Sequence, residues 1–201
     1  EGREVDEAQS EPVMNESTFH NLRCINGEGV GIYLTQGATA SFEDTTISAP
    51  ESNCIQLEEG SRARFNGLTT YGGFCAIWAL LSAKITAENL NLIKPSEAGI
   101  KLSSKAMLTL DNSQIKESGG AGLWVHAGMA ILSHVKITLS QKSNVLIHGR
   151  GEVHLIDNEL TDSQDAGLLI QDEGSHVDLI GGRVSHNLSA GLWATQRAKI
   201  K

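Results

Sequence analysis

The chain repeats itself at a nearly constant interval. Each repeat opens on a small residue followed by an apolar–x–apolar triplet: Gly31-Ile32-Tyr33-Leu34, Cys54-Ile55-Gln56-Leu57, Ala76-Ile77-Trp78-Ala79 and Gly99-Ile100-Lys101-Leu102. The register continues at Gly122-Leu123-Trp124-Val125, Asn144-Val145-Leu146-Ile147, Gly167-Leu168-Leu169-Ile170 and Gly191-Leu192-Trp193-Ala194. Successive openings lie 23, 22, 23, 23, 22, 23 and 24 residues apart. A fixed period of this length defines a solenoid, in which each unit buries its apolar face only against its neighbours. Function is therefore to be sought in columns that run across repeats.

Each repeat holds three short apolar pieces. In the fourth they are Ile100-Lys101-Leu102, Ala106-Met107-Leu108-Thr109-Leu110 and Ser113-Gln114-Ile115. Each alternates with period two, the mark of a strand with one buried face. None is long enough for a helix, and the Leu-x-x-Leu-x-Leu line of leucine-rich repeats is missing. An inward ladder follows eleven residues after each opening, with one-residue slips: Phe42, Phe65, Ala87, Leu110, Leu132, Leu155 and Leu179, extended upstream by Phe19. Two residues later comes a turn column of Asn21, Asp44, Gly67, Asn89, Asn112, His134, Asp157 and Gly181. Asn, Asp and Gly tolerate the left-handed conformation of a sharp corner, and stacked corners can share amide ladders.

These columns resemble the right-handed parallel β-helix repeat family, which includes pectate-lyase-like proteins and the β-helix modules of F-box and signalling adaptor proteins. The resemblance covers roughly residues 17–201. It implies an all-β, single-stranded, right-handed parallel β-helix of about eight rungs with a period of 22–24 residues. It is specific for the fold and not for a function.

Residues 17–201 read as one elongated domain, preceded by an acidic, disordered linker over residues 1–16 that carries Glu1, Glu4, Asp6, Glu7 and Glu11. The formal charge of −8 and the lack of any basic run argue against a nucleic-acid or anionic-membrane partner. No apolar stretch approaches the roughly 20 residues of a membrane span, and the polar start is not a signal peptide. Cys24, Cys54 and Cys75 do not make a disulfide framework, and an intracellular, reducing setting is the expectation. The last rung stops at Ile200-Lys201 with no cap, so the chain is expected to be a fragment of a longer protein.

The residue between the two inward positions of each opening triplet must point outward. That column reads Tyr33, Gln56, Trp78, Lys101, Trp124, Leu146, Leu169 and Trp193, and it holds all three tryptophans of the chain. An exposed apolar stripe of this kind marks a recognition surface, unless a flanking segment covers it. On this register the rings are expected to face solvent and to be removable at little cost in stability. The column two residues on contains His126 and His148, which stack on adjacent rungs beside the stripe. Two histidines do not complete a metal site, so they read as solvated turn residues at the edge of the binding surface, and no metal or cofactor is expected.

The lyases and hydrolases of the resembled family need clustered acids on the outer face of the first sheet. That column has no Asp or Glu here, and Asp162, Asp165, Asp172 and Glu173 fall in turns. Gly149-Arg150-Gly151 is too short for a phosphate loop. No catalytic residue is assigned. The expectation is a non-catalytic recognition or scaffold module that binds a protein partner through the aromatic stripe. Two alternatives remain: a carbohydrate-binding or carbohydrate-active β-helix (lyase-, hydrolase- or epimerase-like), with a glycan stacked on the same rings, and a structural rod that self-associates end to end.

Overall fold

The computed structural model describes residues 16–25, 27–48 and 51–201. The linker expected over residues 1–16 lies outside them apart from Glu16, which accepts a hydrogen bond from the Ser41 hydroxyl. Among the described residues there is no helix. The strands form three parallel sheets that wind around one core. The first sheet contains Ile32–Leu34, Ile55–Leu57, Cys75–Ala79, Ala98–Ser103, Leu123–His126, Val145–His148, Leu168–Ile170 and Leu192–Ala194. The second has nine strands, from Ser17–His20 to Lys199–Ile200, and the third has eight, from Arg23–Ile25 to Arg183–Ser185. Each strand pairs in parallel with the equivalent strand one repeat away, so one turn of chain adds one rung to all three sheets. At about 4.8 Å per rung the coil is a rod of roughly 40 Å.

Period-two alternation fills the interior. Ile55, Ile77, Ile100, Leu123, Val145 and Leu168 stack in one file with no solvent exposure. Leu192, on the last rung of that file, is exposed. The second sheet contributes the expected inward ladder, headed by stacked phenyl rings. The Phe19 and Phe42 centroids are 5.1 Å apart and those of Phe42 and Phe65 are 5.0 Å apart.

All eight residues of the turn column adopt positive φ, from 42° at Asn112 to 73° at Gly67. Along this corner Asn112 Nδ2 donates to Asn89 Oδ1 at 2.7 Å, and Asn89 Nδ2 donates to Asn66 Oδ1 at 2.9 Å, forming an amide ladder. The small residues that open the repeats have a different cause. A Cβ on Gly122 would lie 2.1 Å from Ile137 Cγ2, and one on Gly99 would lie 2.3 Å from Ile115 Cγ2. The chain crosses there directly over the inward side chain of the third sheet, so the requirement is space rather than a left-handed φ.

Cys24, Cys54 and Cys75 are free thiols. Burial pushes the Cys54 and Cys75 thiols up to about 12, so they act as packed apolar groups.

Candidate functional site

The parallel register places Tyr33, Gln56, Trp78, Lys101, Trp124, Leu146, Leu169 and Trp193 in one unbroken file on the outer face of the first sheet. Their exposure is lower than outward position alone implies. Tyr33 is 51% and Trp193 46% exposed, while the six residues between them are half-buried. The rings of Trp78 and Trp124 thus keep partial contact with solvent while packing against their neighbours along the rod.

Lys101 is the centre of that packing. Its Nζ lies 5.5 Å from the Trp78 ring centroid, 4.1 Å from that of Trp124 and 3.2 Å from Glu97 Oε1. The ammonium is thus held between two indole faces, with a carboxylate to balance its charge. Above it, Trp124 Nε1 donates to His148 Nε2 at 2.5 Å, and His148 Nδ1 lies 3.1 Å from His126 Nδ1. An indole N–H only donates. His148 Nε2 must therefore accept, and its Nδ1 carries the proton that is donated to His126. Both histidines end strands of the first sheet instead of standing in turns, which corrects the expectation; His126 is exposed, whereas His148 is half-buried and links the stripe to the corner. The His126 ring lies over Gly149, where a Cβ would approach its Nδ1 to 2.4 Å.

The N-terminal end of the file is fixed by a polar network. Tyr33 Oη donates to Glu58 Oε2 at 3.1 Å, and Gln56 Nε2 donates to the other Glu58 oxygen. Asn53 Nδ2 donates to Gln56 Oε1 at 2.8 Å, while Asn53 Oδ1 accepts the Cys75 N–H at 3.1 Å. Glu58 stands in the same sequence column as His126 and His148, whereas Asn53 and Glu97 look in sequence like ordinary polar corner residues and were missed. The signal available was offset: Glu97 stands four residues before Lys101 and Asn53 three before Gln56, each within reach of the same outward column.

Burial holds His148 below the ordinary histidine range, followed by the charge of neighbouring His126; Lys101 acts in the same direction and Asp172 opposes it. Protonation would also turn Nε2–H against the indole N–H. The unfolded chain takes up this proton first, so stability is expected to be level above about pH 6.5. It should fall as the pH drops from there to the folded value, then level again. Urea midpoints measured across this range should show that slope. His148→Gln, which keeps an acceptor for Trp124, should flatten it; an unchanged slope would separate His148 from the effect.

The turn carboxylates serve the backbone and their neighbours. Asp172 Oδ2 accepts the Gly149 N–H at 2.9 Å, Asp165 Oδ2 accepts the Ser143 hydroxyl at 3.0 Å, and Glu173 lies 3.7 Å from Arg197. Among the described residues no three His, Cys, Asp or Glu side chains converge to hold a metal ion. The surface can therefore offer aromatic and aliphatic faces, one anchored cation and a row of amide and carboxylate acceptors.

The family model described as "Right handed beta helix region" matches residues 75–201, more than half of the chain. No curated protein and no solved structure matches the chain.

Proposed function

Since the chain belongs to the right-handed β-helix family, a fold that by itself names no function, we propose from its surface that it is a non-catalytic recognition module whose first sheet binds an extended polypeptide. The observation that carries this reading is the continuity of the file. Aromatic and aliphatic side chains occupy six of its eight positions from Tyr33 to Trp193, with Gln56 and Lys101 between them, and Lys101 is pre-positioned between Trp78 and Trp124. Side chains already ordered in the free protein lose little freedom on binding. Tyr and Trp are the residues on which interface energy concentrates. Eight rungs at about 4.8 Å match the length of about ten extended residues. The partner favoured by this chemistry is an apolar segment with a carboxylate or backbone carbonyls near Lys101.

The experiment is selection of a random linear peptide library on the immobilised protein, run beside a glycan array. Peptides rich in apolar residues are expected to be retained by the wild type. Trp193→Ala should weaken their binding about tenfold or more without changing stability, since Trp193 lies exposed at the end of the file. Retention of glycans with no peptide enrichment would overturn the protein-binding reading in favour of a carbohydrate surface. Peptides that bind Trp193→Ala as tightly as the wild type would place recognition elsewhere.

A further inference from the structure

The outer face of the second sheet carries an independent pattern. One outward file reads, rung by rung, Thr39, Arg62, Lys84, Met107, Met129, Glu152, His176 and Lys199. In the file beside it Arg64 stands on the rung of Arg62, Ile131 on that of Met129, and His154 and Asp178 on those of Glu152 and His176. The face is basic at Arg62, Arg64 and Lys84, apolar at its centre and acidic at Glu152 and Asp178, with Lys199 on the last rung beyond them. Arg62 and Lys84 make no ion pair among the described residues and Arg64 reaches Glu88 only at 4.0 Å, whereas Glu152 lies 3.0 Å from His154 and Asp178 lies 3.1 Å from His154 and 3.3 Å from His176, partners that carry charge only when protonated. Met107 is 40% and Ile180 62% exposed. A groove of about 410 Å³ lies among Ile131, His154, Ile156, Asp178, Ile180 and Lys201.

We propose that this face binds a second copy of the chain, with the two rods antiparallel. A two-fold axis along the strand direction, midway between the Met107 and Met129 rungs, sets each Met107 against Met129 of the other copy. The equal spacing of rungs then brings Lys84 of one copy opposite Glu152 of the other, and Arg64 opposite Asp178, each contact occurring twice. The aliphatic stem of Arg64 covers the isoleucine groove while its guanidinium meets Asp178. A parallel arrangement would set Arg62, Arg64 and Lys84 against themselves, so charge selects the antiparallel one. Glu88 and Asp111 lie in the outer file at the rim, against Arg64 and His134. The patch is on the order of 30 Å by 16 Å, which buries close to the ~1,000 Å² in total that a specific contact needs.

Sedimentation equilibrium from low to high micromolar concentration tests the contact, with circular dichroism as the check on folding. The wild type is expected to dimerise, and added salt should weaken the dimer. Lys84→Glu and Glu152→Lys should each raise the dissociation constant at least tenfold. The double variant Lys84→Glu/Glu152→Lys exchanges the charges across the axis and should restore it. Lys84→Cys/Glu152→Cys should form an intermolecular disulfide on oxidation, because within one chain the two positions lie three rungs, about 14 Å, apart. A monomer at all concentrations overturns the proposal, as does a double variant that stays monomeric. A dimer broken by Trp193→Ala but not by Lys84→Glu would move the contact to the stripe and equally overturn it.

Discussion

Replacing Ile100 by Asp is expected to destroy the cooperative fold, lowering stability by upwards of about 5 kcal/mol. Ile100 has no solvent exposure and stacks between Ile77 and Leu123 in the central file. The change removes a buried aliphatic side chain and leaves a carboxylate with no partner inside the coil. A loss of this size is comparable with the whole stability of an ordinary domain. Because each rung touches only its neighbours, a failed fourth rung also strips the third and fifth of their support. Far-ultraviolet circular dichroism with urea titration reads the outcome. Ile100→Val, which keeps the shape and the apolar character, should lose only about 1 kcal/mol. A wild-type midpoint for Ile100→Asp would mean that this file is not the core.

The same file explains why the fold could be read from sequence. Parallel stacking in register converts a linear period into physical columns, so Ile55, Ile77 and Ile100 recur in sequence because they touch in space. The corner column was legible for a related reason: a left-handed φ restricts residue choice, and Asn21, Asp44, Asn89 and Asn112 obey that restriction. The glycines at the repeat openings were visible as a pattern, but their cause was not. Nothing in the local sequence says that Gly122 passes over Ile137, more than a dozen residues later in the chain.

The candidate surface was legible in position and not in depth. Alternation places Lys101 outward, but it cannot say that the side chain folds between Trp78 and Trp124 instead of reaching into water. That depends on three rungs and on Glu97, which stands in a corner. His148 differs from His126 in the same way. They are equivalent in the repeat, yet only His148 receives the indole N–H, because Trp124 leans toward the C-terminal rung. The second face holds no aromatic column, and its pattern lies in the order of charge from Lys84 through Met107 and Met129 to Glu152, which only the rung-by-rung register brings together.

Trp124→Ala tests the depth of the stripe and its purpose together. The indole is half-buried, covers Lys101 Nζ at 4.1 Å and donates to His148. Its removal is expected to lower stability by about 2 kcal/mol, below the range for a fully buried tryptophan because part of the ring already meets solvent. Peptide binding should fall by about 2 kcal/mol or more, roughly thirtyfold, since Lys101 loses one wall of its seat and the centre of the file becomes a gap. A third reading comes from His148. Without the indole it is less shielded and free of the donor at Nε2, so its titration by proton NMR should move up toward the ordinary histidine value. Trp124→Phe separates the causes: it keeps a ring over Lys101 but has no N–H to donate. It should preserve most of the binding and still raise the His148 titration. If Trp124→Ala leaves stability and the His148 titration untouched, the ring is an isolated surface group. If it lowers stability but not peptide affinity, the tryptophans serve the packing of the rod, and recognition by this sheet is excluded.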